Sequence, residues 1–244
     1  MIDRQATLFH MEQLKLNGMA DAYRSSLNQP LHELPSAHEF VTSLIESERL
    51  YRSSQRMQMY LKLSKLRYNA VLEQIECSAE RNLSRQQIIA LTDCSFVSRA
   101  ENILITGATG CGKSYLACAI GNQACSLGIR TLYLGMNRLI EKITLAKLDG
   151  SYIKLLNQLE KVPLIILDDF GLTPMDQHTR LAMLQLLEDR YGRKATIIAS
   201  QLPVAQWHHT INEPTLADAI MDRLTAAAHK FELKGPSKRH KSSK

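Results

Sequence analysis

Residues Gly107-Ala108-Thr109-Gly110-Cys111-Gly112-Lys113-Ser114 place three glycines, a lysine and a hydroxyl in the order that holds a polyphosphate, G-x-x-x-x-G-K-[ST]. Glycines let the backbone turn its N–H groups inward around phosphate oxygens, and a helix opening near Lys113 adds the positive end of its dipole. Lys113 is suited to reach the β- and γ-phosphates, and the Ser114 hydroxyl to ligate Mg²⁺. Gly107 to Ser114, with Tyr115 directly after, are therefore expected to line a nucleotide. The context supports this over an accidental glycine-rich turn, because an apolar run, Asn102 to Thr106, precedes the loop and an amphipathic stretch, Tyr115 to Leu127, follows it.

A second group is acidic. Leu164-Ile165-Ile166-Leu167-Asp168-Asp169 has the form of a Walker B strand, with Asp168 at the carboxyl end, where open α/β sheets bind ligands. Asp168 can hold Mg²⁺ through water, and Asp169 can orient an attacking water. Alone, this motif is also what a buried strand ending in turn residues looks like; paired with the phosphate loop it specifies phosphoryl transfer. Ala195 to Gln201 is another buried strand with a polar end. If it lies between the other two, Ser200 or Gln201 sits near the γ-phosphate; otherwise they simply end a strand. Arg223 lies on a late helical segment, where it either projects into a neighbouring subunit's site or pairs with Asp222 or Glu188.

These residues need a scaffold, and the pattern from Asn102 onward supplies one. Strands are predicted at 102–106, 131–134, 164–168 and 195–200, separated by helices at 113–127, 137–148, 152–160 and 178–191. A helix over 215–227 and a short strand at 230–233 complete the set. Continuous apolar strands of this kind belong in a parallel sheet covered on both faces, an α/β P-loop NTPase core. Residues 73–92 read as a polar helical connector.

Ahead of that core the chain reads as a small all-helical module. Leu8, Met11, Leu14, Leu16 and Met19 recur at near-helical spacing, as do Phe40, Val41, Leu44, Ile45, Glu48 and Tyr51. Asn28-Gln29-Pro30 and Leu34-Pro35-Ser36 separate the two, and Ser36 with Glu39 forms a capping box. From Arg49 to Arg67 the cations Arg49, Arg52, Arg56, Lys62, Lys65 and Arg67 occur without an Asp or Glu, interleaved with Tyr and Met. Such a helix either tracks a nucleic-acid backbone or is a solvated face whose Tyr and Met pack inward.

The net charge of +6 suits a polyanionic partner. No apolar run is long enough to span a bilayer and the start lacks a signal-peptide pattern, so a cytoplasmic location is expected. Five cysteines read as reduced thiols; Cys118 and Cys125 share a helix face but lie about 10 Å apart, too far for a disulfide or a shared metal. His208-His209, adjacent on a helix, lack metal-ligand geometry, and Trp207 reads as packing. Residues 235–244 read as a basic flexible tail, in which Arg239 could reach the nucleotide.

Together these segments resemble the IstB-like AAA+ ATPases, transposition helper proteins of bacterial insertion sequences, and more distantly the DnaC helicase loaders. The resemblance is carried by Leu14-Lys15-Leu16-Asn17-Gly18-Met19, Lys65-Leu66-Arg67-Tyr68, Glu101 to Gly107, Asp168-Asp169-Phe170-Gly171, Ser200-Gln201-Leu202-Pro203 and Met221-Asp222-Arg223-Leu224. It implies an AAA+ core (71–234) behind a DNA- or partner-binding domain (1–70). Such a protein uses ATP and Mg²⁺ to oligomerise on double-stranded DNA, remodels that DNA, and recruits and stimulates a transposase. A helicase loader gripping a replicative helicase is the alternative. The resemblance also implies a sensor segment at Ser200-Gln201 and a trans-acting arginine at Arg223. Two departures matter. Asp169 stands where many AAA+ proteins carry Glu, one methylene longer, and slow hydrolysis is expected from that; Gly235-Pro236-Ser237 departs from the commoner Gly-Glu-Ser form, which weakens a sensing role for Arg239. The short chain after the core leaves little room for a helical lid.

Overall fold

The computed structural model describes residues 4–28, 30 and 35–238. The chain divides into two compact units, Met1–Met59 and Tyr60–Lys244.

The first unit holds α1 (Arg4–Gln13), α2 (Asn17–Ser26) and most of α3 (Ala37–Ser64). The single near-helical pattern from Leu8 to Met19 is broken in two because Lys15 takes a left-handed backbone, φ 57°. The α2 and α3 backbones then cross closely at Gly18, where a Cβ would lie 2.5 Å from the Ser47 carbonyl oxygen. Glu48, 6% exposed, accepts the Met19 N–H at 3.1 Å and the Arg52 Nε at 2.7 Å. The predicted capping box is present: Glu39 accepts the Ser36 N–H at 2.9 Å, and the Glu39 N–H donates to Ser36 Oγ at 3.4 Å.

The second unit is built on a five-stranded parallel sheet, order β2-β3-β4-β1-β5. Its strands are β1 (Asn102–Gly107), β2 (Thr131–Gly135), β3 (Leu164–Asp168), β4 (Ala195–Ser200) and β5 (Ala228–Leu233). Alternation along the strands feeds two apolar layers. Ile103, Ile105, Ile166 and Ile197 point to one face, which α6 (Lys113–Ser126) covers. Leu104, Ile165, Leu167 and Ile198 point to the other, beneath α7 (Met136–Leu148), α8 (Tyr152–Glu160), α9 (Gln177–Arg190), α10 (Val204–Ile211) and α11 (Pro214–Thr225). This is the doubly covered sheet that continuous apolar strands require.

Three local differences from the sequence reading have physical causes. The stretch 73–92 is not one helix. It comprises 3₁₀ turns at Leu72–Gln74 and Ala79–Arg81, a Ser78–Leu83 bridge and the short α4 (Arg85–Ile89), with α5 (Ser95–Ser98) beyond. Asn82, φ 52°, reverses the chain, and Leu72, Ile75, Leu83, Ile88 and Leu91 are buried on the α6 side of the sheet. Helix α10 is additional, started by Pro203 at its N-cap. The last strand begins at Ala228 rather than 230, paired along the whole of β1. The expected domain limit at residue 70 compares with a division at 59/60; Ala70 is fully buried and Leu66 packs against the α6-side core.

Buried Arg190 bonds to neutral oxygens rather than a carboxylate. It donates to Val162 O at 2.7 Å, Leu159 O at 3.1 Å, Thr196 Oγ1 at 3.1 Å and Ala195 O. Burial pushes its pKa down to about 9. All five cysteines are free, and burial pushes the Cys94 thiol up to about 12, as expected of an inert core thiol.

Candidate nucleotide site

The phosphate loop follows β1 and ends where α6 begins at Lys113. Its backbone needs glycine where the loop leaves the sheet. Gly107 has φ 145°, and a Cβ there would collide with the Leu233 carbonyl of β5. Gly110 has φ 83°, and a Cβ there would collide with Ser237. Cys111 is buried and its carbonyl accepts Arg81 Nη2 at 2.9 Å, which fastens the loop to the connector. Lys113 is 7% exposed, with Nζ donating to the Ala108 carbonyl at 2.9 Å. A lysine turned onto the rim of its own loop is poised to exchange that carbonyl for a phosphate oxygen.

Beside the loop lies a cavity of about 420 Å³, lined by Gly112, Lys113 and Ser114 of the loop and by Asp169 and Gln201. Tyr68, Gln74, Ile75 and Tyr115 also line it, with the Tyr68 and Tyr115 rings 6.0 Å apart. A site that combines fixed polar groups with aromatic faces suits a molecule with a charged tail and a flat base.

The acids arrive at the end of β3. Asp168 is 1% exposed with both oxygens engaged: Oδ1 accepts the Asp169 N–H at 2.9 Å and Oδ2 accepts the Tyr133 hydroxyl at 2.5 Å. A carboxylate so enclosed suits a metal held through water better than a direct bond. Burial, then Asp168, pushes the Tyr133 phenol well above its usual range, so it remains a donor. Asp169, φ 61°, turns out of the strand toward the cavity.

Of the pair Ser200-Gln201, the residue facing the phosphate loop is Gln201, whose Oε1 accepts Thr109 Oγ1 at 2.5 Å. Ser200 is fully buried; its hydroxyl donates to Phe170 O at 2.7 Å and accepts the Leu202 N–H at 3.1 Å, clamping the turns after β3 and β4. Phe170 in turn packs on Trp207, ring centroids 4.8 Å apart.

The remaining predicted residues lie elsewhere. Arg223 pairs with Glu188 at 2.7 Å and Asp222 at 3.3 Å, beside a separate 170 Å³ hollow that Arg99 and Arg190 also line. Among the basic series, Arg49 pairs with Glu46 and Arg52 with Glu48, whereas Arg56, Lys62 and Lys65 are exposed and make no ion pair among the described residues. Arg67 is set apart from the series, with Nη1 3.8 Å from Asp169 Oδ2. Lys234 to Lys238 run along the site: the Lys234 N–H donates to Arg81 O at 3.1 Å, the Lys238 N–H to Gly110 O at 3.0 Å, and Lys238 pairs with Glu76. Arg239 and the basic residues after it lie outside the described residues. Sequence reasoning gave no role to Tyr133 or Arg81 and placed Lys238 only within a basic tail, and none of them carries a spacing signal. No helix among the described residues is long and apolar enough to cross a membrane.

The family described as IstB-like ATP binding protein matches residues 9–244. An insertion sequence ATP-binding protein of Sinorhizobium fredii, y4pL, is 41% identical over 233 residues, covering 96% of this chain and 95% of that one. The ATP-binding protein of insertion sequence IS21 from Pseudomonas aeruginosa is 30% identical over 234 residues, covering 96% and 88%. Among solved structures, DnaI superposes with a TM-score of 0.59 at 23% identity, over 70% of this chain and 91% of that chain. The DnaC helicase loader superposes with a TM-score of 0.57 at 19% identity, over 68% and 98%. The fold is accordingly that of an AAA+ P-loop NTPase.

Proposed function

We propose that this chain, which belongs to the IstB-like ATP-binding proteins of insertion sequences, is a slow ATPase. In this reading it uses ATP to assemble on duplex DNA, remodels that DNA, and recruits and stimulates a transposase. The observation that carries the reading is the convergence of Lys113, Ser114, Asp169 and Gln201 on one cavity, with Asp168 locked behind them.

In this reading each of the candidate residues has a role. The backbone of Gly107 to Gly112 cradles the phosphates, with Tyr115 and Tyr68 toward the base. Lys113 neutralises the β- and γ-phosphates, while Ser114 and Asp168 are the residues that would hold Mg²⁺. Mg²⁺ held there would offset charge on the phosphate oxygens. Asp169 accepts a proton from, or orients, the attacking water. Gln201 senses the γ-phosphate end from its seat on Thr109, and Ser200 keeps that seat in place. Arg223 leaves its Glu188 pair to complete a neighbouring subunit's site, an exchange that an exposed ion pair permits at low cost. Arg49, Arg52, Arg56, Lys62 and Lys65 supply charge-driven, sequence-tolerant contacts to the DNA backbone. The protein works in the cytoplasm.

Electron microscopy of the protein with duplex DNA and a non-hydrolysed ATP analogue tests the reading, paired with phosphate release in the presence of ATP. Ordered rings or filaments on DNA, together with nucleotide turnover, are expected. Failure to bind duplex DNA, with binding to a replicative helicase instead, would overturn the transposition role.

A further inference from the structure

Asp169 sits at a strained corner. A non-glycine residue at φ 61° is unfavourable, and its N–H is committed to Asp168 Oδ1 at 2.9 Å. That bond fixes the backbone of the corner, leaving the direction of the side chain to its surroundings. Arg67 is one of those surroundings. Its guanidinium lies over the Tyr68 ring, 5.5 Å from the centroid, and against the Tyr133 hydroxyl, the largest influence raising its pKa. The same hydroxyl donates to Asp168 Oδ2 at 2.5 Å, and Arg67 Nη1 stands 3.8 Å from Asp169 Oδ2. Arg67, Tyr133, Asp168 and Asp169 therefore form a closed circuit around the acid pair.

We propose that Arg67 is a positioning residue for ATP hydrolysis, holding the Asp169 carboxylate toward the cavity from within the same chain. The proposal rests on the ATPase reading above. The distance favours this role over neutralisation. At 3.8 Å the guanidinium attracts the carboxylate without itself occupying the carboxylate's acceptor orbitals. A shorter, bidentate pair would occupy them. Lysine can replace it only in part, because a single ammonium does not span the Tyr133 hydroxyl and the carboxylate together. Both side chains are roughly half exposed, 48% and 41%, so the pair contributes little to stability and Arg67 variants should fold.

The test uses the full chain with Mg²⁺, ATP and duplex DNA, comparing wild type with Arg67→Met and Arg67→Lys. Single-turnover phosphate release should fall about 10- to 100-fold in Arg67→Met, as displacing a reacting group does. Affinity for a non-hydrolysed ATP analogue should stay within about threefold. Arg67→Lys should recover part of the rate, and Arg67→Met added to Asp169→Asn should cost nothing further. Unchanged release, a loss additive with Asp169→Asn, or an affinity loss equal to the rate loss would each overturn the assignment. A wild-type chain that releases no phosphate under any of these conditions sinks the ATPase reading instead. Arg67 is then judged by crystal structures of wild type and Arg67→Met with the analogue bound. A single Asp169 rotamer in wild type that is displaced or split in the variant supports it, and the same rotamer in both overturns it.

Discussion

Burial in the Met1–Met59 unit reaches only Gly18, Ala20, Leu44 and Glu48 among its described residues, whereas the Tyr60–Lys244 unit packs an apolar layer on each face of its sheet. The contrast extends to charge. Arg49, Arg52 and Arg56 stand on the surface of the smaller unit, while Lys113 and Asp168 of the larger are almost wholly enclosed and hydrogen-bonded. A thick core can hold ionised groups at fixed distances, as phosphoryl transfer demands. A thin one can still present a row of cations, and binding a polyanion needs little more.

If that division of labour is right, the two units should fail separately. The largest effect is expected at Arg223. Arg223→Ala should lower DNA-dependent turnover by about 10³ if the side chain acts in trans, with ATP affinity of the isolated chain unchanged. If it serves only its pair with Glu188, turnover will barely move. Asp169→Asn follows, with an expected fall of about 10² in phosphate release and intact nucleotide binding; equal release would remove Asp169 from catalysis.

Breaking the smaller unit should spare the chemistry of the larger. Gly18→Ala drives a Cβ into the α3 backbone and should cost the helical unit about 1 to 3 kcal/mol. Hydrogen exchange should show the loss within residues 4–59 while ATP affinity holds. Replacing Arg49 and Arg56 together by Ala should lower the slope of log affinity for duplex DNA against log salt by about 0.9 for each DNA phosphate left without its cation. An unchanged slope makes that face merely solvated.

The smallest effect concerns acid. Burial raises the Glu48 pKa, but Arg52 and the Met19 and Gly18 N–H groups outweigh it and hold the carboxyl below its ordinary value of 4.5. A group depressed on folding stabilises the folded state above its unfolded pKa, and that contribution is lost as pH falls through the lower folded value. The helical unit should therefore loosen below about pH 4, and Glu48→Gln should flatten that dependence in circular dichroism.

The parts of this molecule legible in the sequence were those a short window specifies. Strands β1, β3 and β4 are continuous apolar runs, the phosphate loop is a fixed string, and Ser36 with Glu39 is a local cap; each needs only its neighbours along the chain. What stayed hidden depends on distant partners. The connector's polar composition suggested a helix, but Arg81 reaches Cys111 O and the apolar residues fold under α6. Lys15 breaks an otherwise regular pattern through a positive φ that its residue type does not announce. Arg67 reads as one more cation of a basic run until β2 and β3 bring Tyr133 and Asp169 beside it. Of Ser200 and Gln201, strand alternation could not say which would face the loop without knowing which strand lay between.

Trp207 is the chain's single tryptophan, wholly enclosed, its indole N–H donating to Leu202 O at 2.9 Å and its ring against Phe170, the residue after Asp169. The protein thus carries an intrinsic fluorophore one residue away from the corner where water would be activated. Emission from an unlabelled sample should register displacement of that corner as nucleotide binds, reacts and leaves, with no competing indole to dilute the signal.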